Sequence, residues 1–210
     1  MWAMCFSPND RYLAIADSGH IIWVNLFIQY LRHRPYLVFI FQIWEIRKKH
    51  VRNIFKGHTN LITSVDFSPN GRSIASSSYD NNLRIWSMRD GFSSILGGDT
   101  DPFHQVKFSP NGKFIVGTNS DGILRIWDAR TRQLLTKWNA EQTFAVLFTP
   151  DGSGLFSGGW SQKVNYWSIL QDGLGKFEIQ RKGSITLTGE SKVCICDRFR
   201  LLWFSGILLP

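Results

Sequence analysis

Three cysteines in 210 residues, Cys5, Cys194 and Cys196, are too few for a disulfide framework. The Cys194-x-Cys196 pair has no further Cys or His at ligand spacing, which excludes a zinc site. No Asn-x-Ser/Thr sequon occurs, and the opening MWAMCFSPNDRYLA has no basic segment leading into an apolar run. A reducing, intracellular setting is the expectation. Catalytic signatures are missing too. There is no H-E-x-x-H, no G-x-S-x-G elbow and no Walker loop, because GLGKF lacks both the upstream glycine and the following Ser or Thr. The five histidines, His20, His33, His50, His58 and His104, show no metal spacing. Neither an enzyme nor a metal or organic cofactor is expected.

A long uninterrupted apolar run is absent as well. The nearest approach is GHIIWVNLFIQYLRHRPYLVFIFQ, residues 19–42. A bilayer span needs about 20 consecutive apolar residues. Arg32, His33, Arg34 and Pro35 cut this one into two pieces too short to cross. Membrane insertion is therefore not expected. Acidic charge is sparse: the formal net charge is +8, and across residues 32–56 seven Lys and Arg face only Glu45. A basic cluster at 47–56 reads as a solvated loop or edge strand, or alternatively as a nucleic-acid contact.

What the chain has in quantity is aromatic residues, nine Trp and 16 Phe, and a repeated phrase. CFSPNDRYLAIA, DFSPNGRSIASSS, KFSPNGKFIVGTN and LFTPDGSGLFSGG are versions of one wording; QIWEI, RIWSM, RIWDA and NYWSI answer it. Phe67, Phe108 and Phe148 fall 41 and 40 residues apart, and each is followed after 19 residues by Trp86, Trp127 and Trp167. ITSVDFS alternates as a half-buried first strand. Pro-Asn-Gly or Pro-Asp-Gly is a turn, with Pro presetting φ and Gly accepting positive φ. SIASSS makes a second strand, LRIWSM a third whose Trp seals one sheet against its neighbour, and a more polar fourth follows, as in TRQLLTKW. Sheets of this kind cannot bury both faces alone, so they stack around an axis.

This pattern resembles the WD-repeat (WD40) family of β-propellers, which implies an all-β fold of four-stranded antiparallel blades. The expected units are 1–46, 47–88, 89–129 and 130–169, about four blades of an open arc from a seven-bladed ring. In the first unit Phe6 and Trp44 stand 38 residues apart, so an insertion lies around 19–40. It is either a loop insertion folding over the blade, or intron sequence in the reading frame, since VFIFQ can be encoded by a pyrimidine-rich tract ending in CAG. Residues 170–210 carry neither phrase and read as a degenerate or out-of-frame tail.

The resemblance also implies a buried hydrogen-bond chain of His58, Ser76, Asp80 and Trp86, structural in role. The third unit departs from it with Gly117 at the serine place, and the fourth with Ser161 at the aspartate place. Partners of such propellers dock around the channel. The matching positions here are Trp2, Leu61, Thr63, Pro102, His104, Gln142 and Phe144 on first strands, and Tyr79, Ser120 and Trp160 at turns. Trp2, Tyr79, Phe144 and Trp160 would form an aromatic patch. The expected function is a non-catalytic scaffold for other proteins or short peptide segments. FSPNGKFIVGTNSDGILRIWDARTRQLL and VLFTPDGSGLFSGGWSQKVNYWSI are most similar to fungal Tup-type transcriptional corepressors. That likeness implies a nuclear rather than cytoplasmic role in which nucleic acid is met only indirectly. Adaptor work in ubiquitin-ligase or signalling complexes is the alternative, and direct nucleic-acid binding through 47–56 a third reading.

Overall fold

A computed structural model describes residues 3–17, 39–141, 143–159, 163–171, 177–186, 203–204 and 207–208. They form four antiparallel sheets of four strands, plus a two-stranded hairpin of β17 (Trp203–Phe204) and β18 (Ile207–Leu208). The first sheet is β1 (Ala3–Phe6), β2 (Tyr12–Asp17), β3 (Ile40–Glu45) and β4 (His50–Lys56). The second is β5 (Ile62–Phe67), β6 (Ser73–Ser78), β7 (Asn82–Ser87) and β8 (Ser93–Gly98). The third is β9 (Phe103–Phe108), β10 (Phe114–Asn119), β11 (Ile123–Asp128) and β12 (Leu134–Asn139). The fourth is β13 (Thr143–Phe148), β14 (Gly154–Gly159), β15 (Lys163–Gln171) and β16 (Phe177–Thr186). Each is a meander in chain order, the form of a propeller blade. Among the described residues there is no helix, and so none long and apolar enough to cross a membrane.

Alternation along the strands sorts side chains into two faces, and the repeat makes those faces equivalent from sheet to sheet. One face of the second sheet carries Val65, Phe67, Ile74 and Trp86, which pack on Ala14, Phe41 and Ile43 of the first sheet. One unit later, Val106, Phe108, Ile115 and Trp127 pack on Ala75, Leu83 and Ile85. One unit further, Val146, Phe148, Leu155 and Trp167 pack on Val116, Leu124 and Ile126. The core is thus three copies of a single junction, in which an aromatic-rich rear face meets the flatter aliphatic front face of the preceding sheet. Trp86, Trp127 and Trp167 are buried at the three seams.

Contacts between sheets concentrate on the first strands, β1 against β5, β5 against β9 and β9 against β13. Among the described residues these strands have one edge with no strand partner, so their backbone groups need other acceptors and donors. Side chains of the neighbouring sheet supply them. Asp66 Oδ2 accepts from the Phe108 amide at 2.7 Å, Gln105 Oε1 accepts from the Val146 amide at 2.5 Å, and the Thr63 hydroxyl donates to the Phe103 carbonyl at 2.8 Å. The Cys5 thiol donates to Asp66 Oδ1 at 3.4 Å. Burial and the nearby Asp66 charge push its pKa up to about 11, so it acts as a protonated packing group.

The Pro-containing turns form as expected. Ser68 Oγ donates to Asn70 Oδ1 at 2.8 Å, a bond repeated between Ser109 and Asn111 and between Thr149 and Asp151. Gly71, Gly112 and Gly152 follow with φ of 66°, 69° and 72°; in the first unit Asp10 takes the same left-handed place at 53°.

Two expectations are sharpened by the pairing. First, β4 opens the 47–88 unit yet pairs with β3 of the preceding sheet, and β8 and β12 do the same for the next two units, so each unit after the first hands its first strand backward. Second, Phe177–Thr186, within the segment read as a tail, pairs along β15 as the fourth strand of the last sheet. The insertion around 19–40 lies mostly outside the described residues, but on either side of it Asp17 pairs with Ile40 in register. The basic 47–56 segment is a turn followed by the outer strand β4, with Lys48 paired to Glu45 at 3.2 Å and Arg52 lying over the Tyr12 ring.

Candidate functional site

At one end of the stack, the turn between second and third strands folds back on the start of the first strand. Tyr79 N donates to Leu61 O at 2.8 Å, and one sheet later Ser120 N donates to Pro102 O at 3.0 Å. The same end therefore gathers Leu61, Tyr79, Pro102, His104, Ser120 and Phe144. The Tyr79 and His104 rings meet edge to face with centroids 5.8 Å apart, and the His104 and Phe144 rings do so at 4.5 Å. Ring contacts thus run across three successive sheets. His104 Nε2 lies 2.9 Å from Ser120 Oγ, and partial burial lowers the His104 pKa, which keeps the imidazole neutral at physiological pH. Tyr79 is 37% exposed, enough for a partner to reach its ring.

Thr63 is placed differently. Its hydroxyl lies 2.8 Å from Ser77 Oγ and donates to the Phe103 carbonyl, so it joins two sheets rather than facing outward. Trp2, Gln142 and Trp160 lie outside the described residues.

Behind this face sits the expected polar chain of the second sheet. Trp86 Nε1 donates to Ser76 Oγ at 2.7 Å; Ser76 Oγ lies 2.7 Å from His58 Nε2; His58 Nδ1 lies 2.7 Å from Asp80 Oδ2. Indole can only donate, so the neutral arrangement runs one way: the Ser76 hydroxyl donates to His58 Nε2, and His58 Nδ1–H donates to Asp80. Asp80 also accepts from the amides of Thr59 and Asn82. Burial pushes the Asp80 pKa up, but the bonds from His58, Thr59 and Asn82 outweigh it and hold the carboxyl at about 2.

The third sheet satisfies the equivalent space by other means, which sequence reasoning missed. Counting 41 residues on, His58 becomes Asp99, Ser76 becomes Gly117, Asp80 remains Asp121 and Arg84 becomes Arg125. Arg125 Nη2 pairs with both Asp99 Oδ2 and Asp121 Oδ2, and Asn119 donates to Asp99 at 3.3 Å. An Asp–Arg–Asp triad has replaced the His–Asp pair. Asp101 approaches the same acids, but Arg125 already occupies the space between Asp99 and Asp121. The spacing that located Gly117 would have found the triad had it been applied to Asp99 and Arg125 as well.

Gly117 itself is now required. A Cβ there would lie 2.6 Å from Leu83 Cδ1 and 3.0 Å from the Trp127 ring. Gly117→Ser, which restores the motif serine in name, is expected to destabilise by about 1–3 kcal/mol through overpacking. Urea denaturation measures it, and a variant more stable than the parent would show that the neighbours yield.

Comparison with known proteins agrees with this geometry. The family described as "WD domain, G-beta repeat" matches residues 49–87 and 92–128, each beginning on or just before an outer strand, β4 or β8. POC1 centriolar protein homolog A of Danio rerio is 54% identical over 35 residues, 17% of this chain and 8% of that protein. The target of rapamycin complex subunit wat1 of Schizosaccharomyces pombe is 26% identical over 88 residues, 41% of this chain and 22% of the relative. Guanine nucleotide-binding protein subunit beta-5b of Danio rerio is 31% identical over 83 residues, 37% of this chain and 21% of the relative. The aligned part of the chain thus spans about a fifth or less of each relative's length. These matches support the WD40 repeat family, whose repeats imply a scaffold for protein interactions.

Proposed function

We propose that this chain is a non-catalytic scaffold whose docking face is the Tyr79–His104–Phe144 ring row, bordered by Leu61, Pro102 and Ser120, with Trp2, Gln142 and Trp160 as further members. The observation that carries the reading is the ring row itself. Three side chains from three sheets meet at the end where turns and strand starts converge, and the imidazole among them is uncharged. A neutral aromatic row with hydroxyl and carbonyl groups at its border suits a protein or short peptide segment with an apolar anchor. It is a poor match for phosphate.

Two assemblies are compatible with such a face. Recruitment to DNA-bound repressors follows from the wording of residues 108–135 and 146–169. Adaptor work in a signalling complex is favoured by the relatives, two of which are named as a target of rapamycin complex subunit and a G-protein subunit. Nucleic-acid binding through 47–56 would instead weaken steeply with salt, whereas apolar docking would barely change.

The test is quantitative capture of cellular partners by the parent and by a Tyr79→Ala plus His104→Ala variant, with circular dichroism confirming that both are folded. Each anchor removed is expected to lower affinity about thirtyfold, the equivalent of about 2 kcal/mol. An unchanged partner set overturns the docking face.

A further inference from the structure

In an antiparallel meander the turns between first and second strands, and between third and fourth, stand at the end opposite the ring row. In the second and third sheets those turns carry Arg72, Arg89, Lys113, Arg130 and Arg132, all exposed, against two carboxylates, Asp90 and Asp128. Acidic residues gather at the ring-row end instead, as Asp80, Asp99, Asp101 and Asp121. Arg72 and Lys113 hold equivalent places: the Met88 amide donates to the Arg72 carbonyl at 2.9 Å, and one sheet later the Ala129 amide donates to the Lys113 carbonyl at 2.8 Å. These cations therefore recur at about the 10 Å separation of packed sheets. Among the described residues none of the five forms an ion pair, although Arg132 Nη1 donates to Ser94 Oγ. In the first sheet the same place holds Arg11, which Glu45 already engages at 3.5 Å. Two apolar side chains stand at the exits of the same turns: Phe92, 77% exposed, and Leu134, 48%.

We infer that this end of the second and third sheets is a second docking surface, for a protein segment with carboxylates about three residues apart and apolar residues between them. It does not rest on the ring row. Charge complementarity is the first argument. The five cations have no carboxylate to give up, and an extended segment rises about 3.3 Å per residue, so acids three apart match the spacing from Arg72 to Lys113. Each exposed ion pair contributes little alone, so binding draws on several cations together and on the exposed Phe92 ring. The embedded acids argue against nucleic acid. Asp90 accepts from the Phe92 amide at 3.1 Å, and Asp128 accepts from the Arg130 and Thr131 amides at 2.8 and 2.6 Å. Those bonds lower both pKa values, so both carboxylates are ionised at physiological pH. A phosphate chain with a charge about every 3.4 Å along each strand would meet them, whereas spaced carboxylates pass between. A phosphate backbone also has no use for Phe92 and Leu134.

Fluorescence anisotropy of the full chain with a labelled peptide of repeated Glu-Ser-Leu units, at physiological ionic strength, tests the inference. The parent should bind it at least about tenfold more tightly than the matching Gln-Ser-Leu peptide. Arg72→Glu plus Lys113→Glu should weaken binding of the Glu peptide about tenfold, and Arg130→Glu plus Arg132→Glu, on a different turn, should do the same. Lys56→Glu plus Lys137→Glu alters the net charge equally at exposed positions on outer strands and should leave binding within about twofold of the parent. Equal losses in all three double variants would reduce the effect to overall charge and overturn the inference. So would failure to bind the Glu peptide, or tighter binding of duplex DNA than of the peptide.

Discussion

Replacing Trp86 by alanine should destabilise the chain by about 4 kcal/mol and detach one junction rather than loosen all three. The indole is 1% exposed and meets Phe41 and Phe55 edge on, with centroids 5.1 and 5.4 Å away. Removing it forfeits the transfer free energy of a large side chain and leaves a cavity that two rings and a sheet backbone cannot fill. It also takes from Ser76 Oγ its only indole donor, although the serine can still donate to His58. Because the contacts between sheets among the described residues concentrate on adjacent sheets, the loss belongs to the first and second sheets. Hydrogen exchange should show β1–β3 opening early while β13–β15 keep their protection. Trp86→Phe, which retains a ring but no donor, should cost about half as much. Uniform loss of protection along the chain would show that the sheets fold as one cooperative block.

That local reading depends on a regularity visible in the sequence. The 19-residue interval from Phe to Trp places both on the same rear face, because Phe67 pairs with Ile74 and Ile74 with Trp86 across the sheet. Burial of that face demands large apolar residues at fixed register, so the pattern repeats and is legible. Outer strands face no such demand. β4, β8, β12 and β16 read HVRNIFK, SSILGG, LLTKWN and FEIQRKGSIT, with no shared phrase. An outer strand carries neither the FSP nor the IW wording in any unit. The absence of both from residues 170–210 therefore could not exclude β16.

The site was legible in proportion to how much each residue is constrained by others. His58, Ser76, Asp80 and Trp86 lock one another's positions, and the matching of motif places brings all four within hydrogen-bond reach. The docking positions are constrained only by where their strands begin. Their places could be listed in advance, but not that His104 would stand between Tyr79 and Phe144, nor that Thr63 would turn inward to the next sheet. Compensating changes are the hardest to see. Asp99 and Gly117 each look like decay of the motif when read alone; only with Arg125 do they form a different solution to the same space.

Arg125 is accordingly the charged residue whose single loss the third sheet should tolerate least. Its guanidinium lies between the Asp99 and Asp121 carboxylates and also donates to Ile123 O at 3.2 Å, with its side chain 10% exposed. Arg125→Met is expected to cost about 3 kcal/mol, since it leaves two carboxylates facing each other, with the Asn119 amide and the Thr100 hydroxyl as the remaining side-chain donors to Asp99. A triad of this kind contributes little beyond the desolvation it repays, because bringing three charges out of water is itself unfavourable. The triple variant Asp99→Asn, Asp121→Asn, Arg125→Met should therefore be more stable than Arg125→Met alone. Thermal and urea unfolding of the two variants decides the matter. If the triple variant is the less stable, the carboxylates hold the turn at 119–122 through bonds of their own, and the arginine is not what keeps them together.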